Sequence, residues 1–351
     1  MKRSKRQPHE LSLLELLQEA QNRTSTETIP ADQRQSLLQM TMCILQACAK
    51  ATGCPSPKRD MREIRGQWHV KRALEVAAAG SYNILLIGPN GAGKAQLTRT
   101  LPSLLPTTSL PYPLREPLSS IEKKAFIGEP TIPGELTLAH RGVLFLKDLD
   151  AFDLSVLTSL TQTVETHGIS IPLQEGSVVL PAQFILVATV KPCPCGFFGD
   201  PGRSCLCSAE EIALYRQPLK EIIRTCFAIE IEVPLIGDEN LGNYSEEGSA
   251  TIRQRVEAAR EIQHRRYAET THLRVNADLR AASDVERHCK KVSTAEDLLK
   301  SALRQLHLTP LEVLRVQTVA RTIADLDGSA LIAGKHFAEA IRYLSGFVRD
   351  K

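Results

Sequence analysis

ILLIGPNGAGKA, residues 84–95, decides the fold. Ile84–Ile87 is an apolar run of strand length, Gly88 to Lys94 follows it as G-x-x-x-x-G-K, and an amphipathic stretch over 95–105 reads as a helix. Strand, glycine-rich loop and helix in that order make a phosphate cradle. The glycines let the backbone of Gly88, Pro89, Asn90, Gly91, Ala92 and Gly93 wrap around phosphate oxygens, and Lys94 reaches the terminal phosphates. The next position ordinarily carries Ser or Thr, whose hydroxyl binds Mg²⁺. Here it is Ala95, so the cradle is complete and one metal ligand is missing.

Around this core the chain alternates. Trp68–Ala79 has helical spacing and ends at Gly80. Downstream, 106–134 is rich in proline and turn residues and is expected to be irregular. Gly142–Leu146, Phe184–Val190 and Phe227–Val233 are short apolar runs, as strands of a buried parallel sheet should be. Leu154–Thr166 reads as a helix, and Ile169–Ile171 with Val178–Leu180 as a hairpin. Strands alternating with helices behind a phosphate loop predict a parallel α/β sheet. After the linker PLIGDENLGNYSEEG, residues 249–348 are almost wholly helical in pattern. Helical spacing over 9–23 and 31–52, then CPSPKRD at 54–60, predicts a short helical segment and linker before the core. The expected organisation is therefore an N-terminal segment (1–60), an α/β nucleotide-binding part (61–234) and an all-helical lid (235–351).

Composition narrows the function classes. With 42% hydrophobic and 24% charged residues over 351 positions, the chain has material for a large core and an ordinary charged surface. No apolar run approaches the roughly 20 residues needed to span a bilayer, so no membrane partner is expected. MKRSKRQPHELSLLELL lacks a long apolar core and a small-residue cleavage site, and reads as no secretion signal. Nine cysteines is an odd number, and Cys43 and Cys48 fall in helical patterns, which points to a reducing cytoplasm. A formal charge of +3 is too small to argue for nucleic acid.

Cys193, Cys195, Cys205 and Cys207 form C-P-C-x₉-C-L-C on a loop rich in Gly and Pro. Four thiolates so close in sequence suit a closed, tetrahedral structural Zn²⁺ site, although C-x₂-C is the commoner spacing. A reduced metal-free loop and a transient disulfide are the alternatives. A second cationic feature lies in 253–291, where Arg253, Arg255, Arg260, Arg265, Arg266, Arg274, Arg280, Arg287, Lys290 and Lys291 are interspersed with acids. It reads either as a DNA-contacting face or as a solvated or subunit-facing one.

The strings REIRGQWHVKRALEVAAAG, LLIGPNGAGK, IPGELTLAHRGVLFL, GSVVLPAQFILVAT, PCPCGFFGDPGRSCLCS and VARTIADLDG, in this order over roughly 61–346, resemble the magnesium-chelatase-like AAA+ ATPases, in the group of the competence protein ComM. The resemblance implies an AAA+ module with a helical lid, a ring, usually hexameric, with ATP between subunits, and translocation on DNA during recombination. It also implies an additional N-terminal domain, where here about sixty residues precede the module. Ile64–Gln67 resembles the segment that lies beside adenine, which makes Gln67 a nucleotide-site candidate.

Against that family pattern several functional positions differ. Where the resemblance implies an Asp that anchors Mg²⁺ and then a catalytic Glu, the chain has Lys147 and Asp148. An ammonium there would repel the ion by about 4 kcal/mol per unit of its charge at 4 Å in an effective dielectric of 20, and Asp148, the remaining candidate catalytic carboxylate, has a shorter stem than Glu. The γ-phosphate sensor Asn is replaced by Lys191, the arginine that acts on a neighbouring subunit by Cys226, and the lid's sensor arginine by Leu311, with Arg224 and Arg315 close by. An arginine finger alone is worth about 10³–10⁵ in rate. The reading is an ATP-binding protein impaired in hydrolysis, a regulatory or structural ring subunit, in which Lys94, Lys147 and Lys191 neutralise a triphosphate without Mg²⁺. The alternatives are lysines that drifted in a disused site, an active ATPase motor on DNA with relocated groups, and an adaptor that keeps the fold and binds no nucleotide.

Overall fold

The computed structural model describes residues 59–107, 112–129, 132–172, 177–200, 202–235, 246–270, 272–344 and 347. The helices expected over 9–23 and 31–52, most of the 54–60 linker and the tip of the expected hairpin lie outside the described residues. In chain order the elements are α1 (Trp68–Gly80), β1 (Ile84–Ile87), α2 (Lys94–Leu104), β2 (Leu114–Arg115), α3 (Lys123–Ile127), β3 (Gly128–Glu129), β4 (Ile132–Pro133), α4 (Glu135–Leu138), β5 (Val143–Leu146), α5 (Leu154–Thr166), β6 (Gly168–Pro172), β7 (Ser177–Pro181), β8 (Ile185–Val190), α6 (Ala209–Cys226), β9 (Ile229–Glu232), α7 (Ser249–Arg266), α8 (Ala282–His288), α9 (Ser293–Leu306), α10 (Pro310–Leu326) and α11 (Gly334–Ile341). Five strands form a parallel sheet in the order β2-β5-β8-β1-β9, and the C-terminal third is helical. Every residue of β1, β5 and β8 is buried, which is why these strands read as unbroken apolar runs rather than alternating ones.

The chain divides into two compact units, residues 107–185 and residues 58–106 with 186–351, each taken over its described residues. In the larger unit β1 pairs in parallel with β8 (Ile84↔Val187) and with β9 (Ile84↔Ile229). Asn83 pins the near end of all three: its Nδ2 donates to Cys226 O at 2.8 Å and its Oδ1 accepts from Leu186 N at 2.8 Å. α1 is an alanine-rich helix whose Ala77–Ala79 run is fully buried and which packs on α2, α7 and α10. α10 starts from a capping box, in which Glu312 N donates to Thr309 Oγ1 and Thr309 N to Glu312 Oε2, with Pro310 at the first position.

A buried polar network ties this helical region together. Arg321, 1% exposed, and Arg266 both donate to the Asp325 carboxylate, which also accepts from Asn276 Nδ2 at 2.8 Å. Asn276 donates to Thr322, and the Thr322 hydroxyl lies 3.0 Å from Tyr82 OH, two residues before β1. Breaking such a buried pair from one side costs about 3–5 kcal/mol, because it strands the other charge.

In the smaller unit β2 pairs with β5, and β6 with β7 as an antiparallel hairpin (Ile169↔Leu180). Asp153 caps α5, accepting from Ser155 N at 2.8 Å. The stretch 106–134 is not irregular as the sequence suggests: it supplies the edge strand β2, the short α3 and the β3–β4 pair. Its strands have two residues each, too short to show an alternation, and tertiary pairing, such as the bidentate Arg115–Glu135 ion pair, holds them.

Candidate functional site

The loop between β1 and α2 is built almost entirely from backbone. Gly88 N donates to Val190 O at 3.1 Å, so the loop leaves β1 against the last residue of β8. On its other side it presses on the stretch following β9. A Cβ placed on Gly88 would lie 2.2 Å from Val233 O, a clash that any side chain would create, so only glycine fits. Gly91 and Gly93 have φ of 88° and 80°, the left-handed region glycine enters without penalty. Gly93 opens α2 with no side-chain cap, so the first-turn amides point at whatever occupies the loop.

Lys94 is buried. Its Nζ donates to Gly88 O at 2.5 Å and Pro89 O at 2.8 Å, so the ammonium already sits inside the loop it would share with phosphate. Ala95 offers no hydroxyl, and the Thr98 hydroxyl is turned back into α2, donating to Lys94 O at 3.0 Å. Gln67 adds what the motif alone does not show. It stands in the left-handed region (φ 55°) before α1 and is 6% exposed. Its Nε2 donates to Pro234 O at 2.7 Å, while its Oε1 is buried with no hydrogen-bond partner among the described residues. Val233, which crowds Gly88, and Pro234, which holds Gln67, are consecutive, so the orphaned acceptor lies beside the loop. A buried acceptor left unmade costs about 1–3 kcal/mol. The turn carrying Gln67 is braced by Glu246, which accepts from Gly66 N and pairs with the buried Lys71.

Lys191 directly follows β8, beside the acceptor of Gly88 N. Its stem runs past Gly196, with Lys191 Cδ 3.8 Å from a Cβ built there. Lys147 and Asp148 follow β5 in the smaller unit, Lys147 exposed and Asp148 with φ of 56° at the cap of a 3₁₀ turn. The candidate arginines fall elsewhere. Arg315 donates to Thr225 O at 2.9 Å, where α6 ends, before β9 begins. β9 runs parallel to β1, so that point lies at the opposite end of the strands from the phosphate loop, about 13 Å away for four residues. Arg315 is thus no stand-in on its own chain's phosphates. Cys226 is buried at the end of α6, while Arg224 and Leu311 are exposed.

The four cysteines converge. All four Sγ atoms lie within 4.8 Å of one another, with Cys193–Cys195 at 3.3 Å, Cys195–Cys205 at 3.6 Å and Cys193–Cys205 at 3.7 Å. These are far longer than a disulfide bond of about 2.05 Å. They approach the edge of roughly 3.8 Å that four sulfurs about 2.3 Å from a tetrahedral zinc would have. Phe198 N donates to Cys193 Sγ at 3.3 Å. The Phe197 and Leu206 amides hold Cys195 down to about 6. Cys207, although it accepts the Cys195 N–H, is pushed up to about 12 by burial and by the neighbouring sulfurs. The cluster thus favours a thiolate at Cys195 and opposes one at Cys205 and Cys207, a charge problem that a bound dication would resolve by ionising its ligands.

The cations of 253–291 are partly spent inside the fold. Arg253 donates to Ser103 O, Arg255 pairs with Glu75 and Glu247, Arg260 donates to Ala78 O, Arg266 pairs with Asp325 and Lys291 with Gln317. Arg265, Arg274, Arg280, Arg287 and Lys290 are exposed, and Arg265 pairs with Glu261 at 3.2 Å. Among the described residues no helix is long and apolar enough to cross a membrane.

Residues 60–111 and 109–241 match the family described as magnesium chelatase, subunit ChlI, and residues 246–344 match the family of its C-terminal part. Competence protein ComM of Haemophilus influenzae is 37% identical, over 81% of this chain and 60% of ComM. The protein YifB of Escherichia coli is 34% identical, over 82% of this chain and 60% of YifB. The chain therefore spans about three-fifths of the length of these relatives.

Proposed function

The chain belongs to the magnesium chelatase ChlI family, and from that premise we propose that it binds ATP at the 88–95 loop, turns it over very slowly or not at all, and serves as a regulatory or structural subunit of an oligomeric ring. The observation that carries the nucleotide reading is Gln67. A buried carboxamide oxygen without a partner, beside a glycine cradle that already holds an ammonium, fits a base bearing an exocyclic amine. Adenine offers that donor and guanine presents a carbonyl at the same edge. The cradle amides and Lys94 would take the phosphates.

Impaired turnover is supported by what surrounds the cradle. Ala95, Lys147 and Lys191 stand where the family pattern has a Mg²⁺ hydroxyl, a Mg²⁺ carboxylate and a γ-phosphate sensor, and Arg315 is occupied at the far end of the sheet. Loss of one preorganised electrostatic group typically costs about 10²–10³ in rate. Lys94 and Lys191 in place of the divalent ion would make binding independent of Mg²⁺. Zn²⁺ is assigned to Cys193, Cys195, Cys205 and Cys207, whose sulfurs have the number, type and spacing of a closed site with no open position for catalysis.

The test uses Trp68, the single tryptophan, one residue from Gln67. ATP is expected to change its fluorescence saturably and GTP much less. Radiolabelled ATP should show turnover far below the 1–10³ s⁻¹ or so usual for enzymes. No response to either nucleotide would contradict binding, and ordinary turnover would contradict the impairment.

A further inference from the structure

The cysteine loop and the phosphate loop are neighbours in a way neither motif requires. β8 ends at Val190, whose carbonyl takes the Gly88 amide, and Cys193 follows three residues later. The two residues between Val190 and Cys193 are held from α6. Tyr215 OH donates to Lys191 O at 3.3 Å, and the Arg216 guanidinium donates twice to Pro192 O, at 3.1 and 2.8 Å. The same guanidinium lies over the Phe198 ring, 5.2 Å from its centroid, in the middle of the cysteine loop. The Lys191 stem packs alongside Gly196, which has a φ of 86° between the two cysteine pairs. Sulfurs, Arg216, Lys191 and the first amide of the phosphate loop thus form one connected piece of structure.

We propose that this cysteine knuckle is a metal-dependent clamp on the phosphate loop: a Zn²⁺ held by Cys193, Cys195, Cys205 and Cys207 fixes the end of β8, and its occupancy sets the affinity for ATP. The inference rests on the nucleotide and zinc readings above and adds the coupling between them. Four thiolates on one Zn²⁺ carry a net charge of −2. Arg216, whose guanidinium lies over Phe198 in the middle of the cysteine loop, is the cation placed to balance it. Without the ion the sulfurs no longer share a centre. The loop then loses the cross-link that brings Cys205 and Cys207 back to Cys193, while the Lys191 and Pro192 carbonyls stay tied to α6 through Tyr215 and Arg216. Coupling of this kind is reciprocal: ATP must tighten zinc by the factor by which zinc tightens ATP.

The experiment takes the full chain in Mg²⁺-free buffer, measures its zinc content, and titrates ATP against Trp68 fluorescence before zinc is stripped with a chelator, after stripping, and after zinc chloride is returned. One zinc per chain, a five- to tenfold weakening of ATP on stripping, recovery on return, and an equal, five- to tenfold gain in zinc affinity with ATP bound are expected. Equal ATP affinity in the loaded and stripped forms would overturn the coupling while leaving the nucleotide site intact. No ATP binding in any form would overturn the nucleotide reading and the clamp with it. Should stripping unfold the chain, Arg216→Met decides the matter: with zinc content and circular dichroism unchanged, ATP is expected to weaken severalfold, and an unchanged affinity would overturn the clamp.

Discussion

Two loops leave the same end of neighbouring strands and are held by opposite means. The loop after β1 is a backbone structure: glycines, a helix start and one lysine folded onto its own carbonyls. The loop after β8 converges through side-chain sulfurs, with Cys195 favoured as a thiolate and Cys205 and Cys207 raised. On the proposed reading, phosphate binding depends on the loop backbone and Lys94, whereas the cysteine loop depends on what its sulfurs share.

Four substitutions break or sharpen that contrast. The largest effect is expected where neither loop is touched. Asp325→Ala strands Arg321 and Arg266 and should lower unfolding stability by about 3–5 kcal/mol in urea, with ATP affinity unchanged under native conditions. A loss of binding equal to the loss of stability would mean that the phosphate loop is not preorganised by its own backbone. Next, Lys94→Ala should weaken ATP roughly 100-fold, about 2.7 kcal/mol, the range for charge-assisted hydrogen bonds, while zinc content stays the same. Cys205→Ser should do the reverse first, removing zinc and lowering the melting temperature by several degrees, as about 1–2 kcal/mol does in a chain of this size. Smallest, Gln67→Leu should cost ATP about fivefold, roughly 1 kcal/mol, and leave GTP unaffected. Equal losses for both nucleotides would show that Gln67 shapes the turn and does not read the base.

Much of the fold was legible because its signals are local. The strand Ile84–Ile87 and the helix Leu154–Thr166 have in the structure the bounds their patterns predict. The parallel sheet follows from buried strands that are apolar throughout. Other parts hide for physical reasons. β2 is two residues long and exists through pairing with β5. α6 carries Pro218 in its interior and an exposed Leu214, which blur its period, although the Ser208–Glu211 capping box marks its start. Of the site, the glycines, lysines and cysteines are readable as residue types at fixed spacing. That Gln67 has one satisfied and one unsatisfied end, that Arg315 sits at the far edge of the strands, and that Arg216 joins the two loops are facts of long-range packing, with sequence separations of 167, 90 and 24 residues between bonded partners.

The charge exchange at the phosphate loop is tested most directly by ATP affinity measured calorimetrically in excess EDTA and in excess Mg²⁺. With lysine ammonium groups in place of the ion, the two dissociation constants should agree within about threefold, since a group that binds without the metal gains little from it. A Mg²⁺ requirement of about thirtyfold or more, roughly 2 kcal/mol, would mean that the divalent ion still bridges the phosphates, and the protein would then be a working ATPase of its family.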